Sequence, residues 1–210
     1  MDIHAHVPTV GKSASHWLLE GVFIVASVLL GFGVGQYRDY RDNQELARRA
    51  LTSLQAELEY NLATVEPYVA FHRAFIENLK GVDAKLPEMQ ASAFEIYLRL
   101  RPPLPSNTNA DVPTPRRAAW DAAASTGALR LIDYDLIAGL SAIYQMQDHL
   151  AIAINNRMPF GLPAFFEPDS RRPALMQTYA GLSEVAYSEE SLVTLYRKEL
   201  PALRAAAAGR

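Results

Sequence analysis

Apolar and polar positions change period once along this chain, and that change divides it. From Gly21 to Tyr37 the sequence reads GVFIVASVLLGFGVGQY, without a charged side chain. Trp17, Leu18 and Leu19 extend the run upstream, interrupted only by Glu20. A bilayer core of roughly 30 Å needs about 20 helical residues. Gly21 to Tyr37 alone gives about 25 Å at 1.5 Å per residue, and the Trp17 turn completes the span. The pattern predicts a transmembrane helix over 17–37, bracketed by Trp17 and Tyr37 as interfacial aromatics. Two other readings compete: a buried helix of a soluble protein, and a cleaved signal peptide with small residues at Gly33-Val34-Gly35. Against cleavage, Lys12 is the sole basic side chain before a run longer than a usual signal core.

Beyond Arg38 the period becomes that of a heptad. Leu51, Leu58, Val65, His72 and Leu79 fall seven apart, with Leu54, Asn61, Tyr68, Phe75 and Val82 as the companion series. A third row, Leu62, Val69 and Ile76, widens the stripe, which suits a helix buried in a bundle better than a bare two-stranded coiled coil. No Gly or Pro lies between Arg38 and Glu66, so the helix is expected to continue from the membrane segment. Pro67 predicts a kink or a short break.

Further helices are expected over Leu86–Leu100, with Pro87 in the first turn, and over Arg116–Ser125, started at Thr114-Pro115 and stopped at Gly127. The next should run from an Asp133 cap to about Asn156, with its apolar face on Ile137, Leu140, Tyr144, Gln147, Ala151 and Ile154. A helix from Ala174 to about Tyr187 follows. Ser188 then caps a last helix carrying Leu192, Leu195, Tyr196 and Leu200, which Pro201 bends or ends. Arg101–Arg117, with five prolines, and Met158–Pro173 read as irregular stretches. The phenylalanines of the second, Phe160, Phe165 and Phe166, are expected to plug one end of the packed helices. No segment alternates with period 2. The expected organisation is therefore all-α: a tail over 1–16, the membrane helix over 17–37, and a small helical bundle over 38–210 with loops near 101–114 and 158–173.

Composition narrows the chemistry. The 210 residues are half hydrophobic, enough for one sizeable core. Twenty basic against 23 acidic residues give a net charge of −3, no field for nucleic acid. Cysteine is absent, which removes disulfides, thiolate metal sites and a Cys nucleophile. There is no Walker loop, Rossmann glycine pattern or Gly-x-Ser-x-Gly elbow. His4 and His6 form a pair too small to hold a metal firmly, and no cofactor or catalytic set is expected. Asn61 and His72 interrupt the apolar stripe, either as satisfied core residues or as a polar site inside the bundle. Ser27, Gly31 and Gly35 recur every fourth residue, a face on which another helix could pack closely, although glycine is common in such helices. Arg38, Arg41, Arg48 and Arg49 after the apolar run, against Lys12 before it, place the C-terminal part in the cytoplasm by the positive-inside rule.

Two passages carry a resemblance: Leu18–Glu66, with Glu57-Leu58-Glu59-Tyr60-Asn61, and Ala119–Gln147, with Trp120 and Thr126-Gly127. Together they resemble a broad group of uncharacterised bacterial membrane-anchored proteins, over about a third of the chain. The resemblance implies a bacterial inner-membrane protein and carries over no catalytic residue; the less basic N-terminal segment here departs from the group's pattern. The lipid bilayer and a second copy, or another membrane protein, are the expected partners. The first expectation is thus a non-enzymatic interaction component. A sensory or small-ligand domain around Asn61 and His72 comes second, and an enzyme last.

Overall fold

In the computed structural model, residues 14–86, 90–106, 108–157 and 165–209 are described. His4, His6, Lys12, Pro87 and Phe160, and the expectations resting on them, lie outside these residues. Among the described residues every regular element is helical. The elements are α1 (Ala14–Leu79), α2 (Val82–Lys85), α3 (Ala93–Leu100), α4 (Ala118–Ser125), a 3₁₀ turn (Ala128–Leu131), α5 (Tyr134–Asn156), a second 3₁₀ turn (Pro168–Ser170) and α6 (Arg171–Ala207). The chain divides into two units, Met1–Glu45 and Leu46–Arg210.

The first unit contains the start of α1, whose apolar stretch is long and apolar enough to cross a membrane, and none of that stretch is buried. Phe23, Ile24, Leu29, Leu30 and Phe32 are all exposed. The Ser27 hydroxyl donates to the Phe23 carbonyl at 2.7 Å, so it is satisfied within its own helix.

In the second unit, α1 presents a continuous buried stripe. Nine heptad positions from Leu51 to Leu79 are buried on α1, including Asn61 and His72, and the tenth, Val82, is buried on α2. The first part, Leu51 to Val65, joins Leu140, Ile143 and Leu150 of α5 and Leu192, Tyr196 and Leu203 of α6 in one apolar cluster. Further along, Phe75, Leu79 and Val82 join Ile96 and Tyr97 of α3 and Leu175 and Leu182 of α6 in a second. Each fully buried side chain of this size contributes about 1.5–3 kcal/mol. Three ion pairs set the register between α1 and α6: Glu59–Arg204 at 2.8 Å, Glu66–Arg197, and Arg73–Glu190 at 2.5 Å. Each step of seven forward on α1 is matched by seven backward on α6, so the two helices run antiparallel. The pairs are exposed and add little energy individually; their use is to fix alignment.

Several local expectations give way to packing. α1 runs through Pro67 and α6 through Pro201 without a break. Both prolines, and Ala63 and Arg197 four residues before them, are exposed, so the carbonyls they leave unbonded are on the solvent side. Ser188 starts no new helix. α6 is continuous, Ser188 is fully buried, and its hydroxyl bonds back to the Glu184 carbonyl at 2.9 Å. α3 begins at Ala93 rather than near Leu86, because Ser92 and Glu95 form a reciprocal capping box. The buried face of α5 is Leu136, Leu140, Ile143, Gln147, Leu150 and Ala153 with Tyr144; Ala151 is exposed and Ile137 and Ile154 are half-buried. The expected and observed faces share Leu140, Tyr144 and Gln147 and part on either side of them. Asp133 caps α5 as expected, accepting from the Asp135 and Leu136 amides. Phe165 enters the second cluster, whereas Phe166 is exposed and lies against Phe94, with ring centroids 5.3 Å apart. Gly127, at φ +75°, closes α4 in the left-handed conformation that glycine accepts most readily.

One close approach makes a prediction. A Cβ at Gly181 of α6 would lie 2.6 Å from the Arg157 Cα and 2.9 Å from its carbonyl oxygen. Gly181→Ala is therefore expected to destabilise the helical unit by about 1–3 kcal/mol despite alanine's better helix propensity. At Gly139 the same Cβ meets only the Glu199 carboxylate, the mobile end of a side chain. Gly139→Ala should cost distinctly less, and urea unfolding of the two variants side by side measures the difference.

Candidate functional site

The residues with chemistry are concentrated on the buried face of α1. Helical spacing stacks Glu57, Asn61, Tyr68 and His72 turn after turn along that face, and each reaches a different part of the unit. Glu57 is buried and accepts twice, from the Tyr144 hydroxyl at 2.7 Å and from the Ala119 amide at 2.7 Å. The second bond places a carboxylate at the N-terminus of α4, where free amides and the helix dipole favour it. Arg117 supplies no side-chain cap of its own there. The Tyr144 ring also stacks on Trp120, with centroids 4.6 Å apart.

Asn61 grips the main chain of Arg116 from both sides. Its amide donates to the Arg116 carbonyl and its oxygen accepts from the Arg116 amide, each at 2.7 Å. With Arg116 held this way, α4 starts at Ala118, two residues later than its sequence predicts. The Tyr68 hydroxyl donates to the Ala110 carbonyl at 3.0 Å. Asp111 completes the fastening of this loop, accepting from Tyr97 at 2.9 Å and from Arg157 at 3.0 Å.

His72 meets Glu189 in the interior, with Nδ1 at 2.9 and 3.0 Å from the two carboxyl oxygens. The imidazole is 1 % and the carboxyl 0 % exposed, so this is a pair taken out of water. Its other neighbours are aromatic: the Tyr68 ring stacked at 6.2 Å and the Phe71 ring edge-on at 4.9 Å. Burial pushes the Glu189 carboxyl above its usual range, the His72 hydrogen bond opposes that shift, and Glu190 adds to it. On the α5 side Gln147 donates to the Tyr196 hydroxyl at 2.9 Å. There too Ser188 approaches His149, with Oγ 3.2 Å from Nδ1. Burial drives the hydroxyls of Tyr144 and Tyr196 upward in pKa; Tyr144 donates its proton to Glu57, and Tyr196 accepts from Gln147. Among the described residues no buried side-chain nitrogen or oxygen lacks a partner, and no three His, Asp or Glu side chains gather as for a metal.

On this face Glu57, Asn61, Tyr68 and His72 each hold a backbone segment or another helix. A cleft of about 250 Å³ lies between Val112–Pro115 and α5. It is lined by Gln147 and Asp148 but by neither Asn61 nor His72, and it falls below the ~300 Å³ at which small-molecule pockets begin. Asn61 and His72, expected to act together, serve separate partners. Glu57 and Glu189 escaped sequence reasoning. Glu57 left a signal, lying one turn before Asn61 beside the same stripe. Ser27, Gly31 and Gly35 lie in the other unit, where a Cβ at either glycine would meet no other atom within 4 Å. Trp17 and Tyr37 are exposed at the two ends of the apolar stretch. The residues that carried the resemblance converge: Glu57 and Asn61 hold the segment leading into α4, Trp120 packs on the tyrosine Glu57 binds, and Gly127 ends that helix.

No family model, curated protein or solved structure matches this chain.

Proposed function

We propose that the chain is a single-pass membrane protein of the bacterial inner membrane, whose helical unit forms a small heptad-seamed bundle on the cytoplasmic side. Its role is that of a non-enzymatic interaction or scaffolding component that self-associates or binds another membrane protein. The observation that carries this reading is the apolar stretch of α1 with none of its length buried. In water, each of its large side chains would forgo about 1.5–3 kcal/mol of burial; lipid removes that penalty. The bundle is supported by the ten buried heptad positions and the antiparallel row of ion pairs. Arg38 and Arg41, directly after the stretch, support the cytoplasmic side. The open faces of Gly31 and Gly35, one turn apart, support helix-to-helix association. The internal engagement of Asn61 and His72 favours this reading over a ligand-binding domain.

Full-length protein should remain in the membrane pellet after alkaline carbonate washing and enter solution only with detergent. Cross-linking in the membrane should give a dimer or a discrete heteromer that Gly31→Leu with Gly35→Leu weakens. A wild-type chain that is strictly monomeric and copurifies with nothing would remove the interaction role. Release by carbonate would remove the anchor.

A further inference from the structure

The start of α1 carries a second feature, on a different face from Ser27, Gly31 and Gly35. Ala26, Leu29, Leu30, Gly33, Val34 and Tyr37 line an apolar groove along the helix, with Gly33 as its notch. Val34 and Tyr37 also line the next groove, together with Arg38, Arg41 and Asp42. The two share a wall, so one face passes from apolar to cationic across Tyr37. With 3.6 residues per turn, this face is centred about 100° round the helix from the small-residue stripe. We propose that it binds one anionic phospholipid molecule, with an acyl chain in the apolar groove and the phosphate between Arg38 and Arg41.

Length, charge and availability support that occupant. From Ala26 to Tyr37 the helix rises about 16 Å, close to half of a ~30 Å hydrocarbon core, which is one leaflet. Tyr37 stands where the chain ends and the headgroup begins, a depth that suits its apolar ring and polar hydroxyl. Among the lining residues, two guanidinium groups against the one carboxylate of Asp42 leave a single net positive charge, the complement of a lipid with one net negative charge; Asp39 does not line the groove. Arginine's planar fork favours phosphate oxygens. Among the described residues no ion pair engages Arg38 or Arg41, whereas Arg48 and Arg49 further along do have partners. A second copy of the helix is a poorer occupant of this face, which holds both Arg38 and Arg41: packed here in the same direction, it would set both of its own guanidinium groups against them.

The inference rests on the membrane reading, and its test keeps the two apart. Full-length protein is purified in mild detergent, delipidated, and titrated with dioleoyl phosphatidylglycerol or dioleoyl phosphatidylcholine under native mass spectrometry. The wild type should retain phosphatidylglycerol about tenfold better, from the attraction basic side chains contribute near anionic lipid. Arg38→Gln with Arg41→Gln should bring that ratio close to one. Arg99→Gln, at an exposed position in the other unit, should leave it unchanged. Gly33→Leu fills the notch without altering charge, and the helix has room for it; retention of both lipids should fall together. Equal retention by the wild type, or a preference that survives the double arginine change, would overturn the proposal. Competition by glycerophosphoglycerol or inorganic phosphate as strong as by the intact lipid would overturn it too, reducing the site to an anion contact. Failure of the membrane reading looks different: the chain would stay soluble with neither detergent nor lipid.

Discussion

Glu189→Ala is expected to lower the unfolding free energy of the helical unit by about 3–5 kcal/mol, and His72→Ala by a similar amount. Each change leaves the other member buried without its partner, and the aromatic rings of Tyr68 and Phe71 offer no replacement hydrogen bond. The double variant His72→Phe with Glu189→Leu should recover most of the loss, because an apolar pair of similar volume needs no compensating charge. Urea unfolding followed by circular dichroism distinguishes the outcomes. Additive losses in the double variant would mean that the two side chains act independently.

The same pair gives a pH signature. Burial raises the Glu189 carboxyl above its reference value of 4.5, so the folded state holds that proton more tightly than the unfolded state does. Its contribution to stability is fully present below 4.5 and is lost as pH rises through the folded-state value. Glu59, Glu95 and Glu190 are shifted the other way, by Arg204, by the Ser92 amide and by Arg73 respectively. Their contributions are lost as pH falls below the reference value. The stability of the wild type relative to Glu189→Gln isolates the buried group and should decline from pH 4.5 upward. A flat difference across that range would contradict the assignment.

The second large effect is expected at Glu57. Glu57→Leu removes the acceptor of two bonds together, leaving the buried Tyr144 hydroxyl and the Ala119 amide unpaired. A hydrogen bond to a charged group contributes about 1.5–3 kcal/mol, so the substitution should cost roughly 3–5 kcal/mol. Glu57→Gln keeps an oxygen that can accept one bond and should lose about half as much. Tyr144→Phe with Glu57→Leu leaves a single orphan, the Ala119 amide, and should fall between the two. Thermal unfolding of the three variants gives the order directly. If Glu57→Leu proves no worse than Glu57→Gln, the carboxylate is not what holds α4.

These two sites show how far the sequence could be read. Asn61 and His72 were recognisable as buried because seven-residue spacing places them on the stripe with Leu54, Leu58 and Phe75. Their partners were not recognisable. Asn61 binds main-chain atoms, which carry no sequence signature, and His72 binds a glutamate 117 residues away. Ser188-Glu189-Glu190 matches the local chemistry of a helix start, but the serine is drawn back to Glu184 and the glutamate inward to His72. A break at Pro67 and an end at Pro201 are absent for a related reason. Proline's cost depends on which side of the helix it faces, and Pro67 and Pro201 both face outward. The apolar stretch over 17–37 is legible because its length and composition are set by few rules; what surrounds it depends on molecules the chain does not encode.

The segment between α3 and α4 is fastened chiefly by its peptide groups. Asn61 takes the amide and carbonyl of Arg116, Tyr68 takes the carbonyl of Ala110, and among side chains of the loop Asp111 is the principal fastener. Such a strap holds its course provided Asp111, Arg116, whose guanidinium lies 3.5 Å over the Tyr60 ring, and Arg117, paired with Asp148, are kept. Exposed Ser106 and Asn109 are therefore free to drift. Here a recognition epitope could be rewritten with little disturbance to the scaffold beneath, which makes this strap the natural place to graft a tag or a new binding sequence.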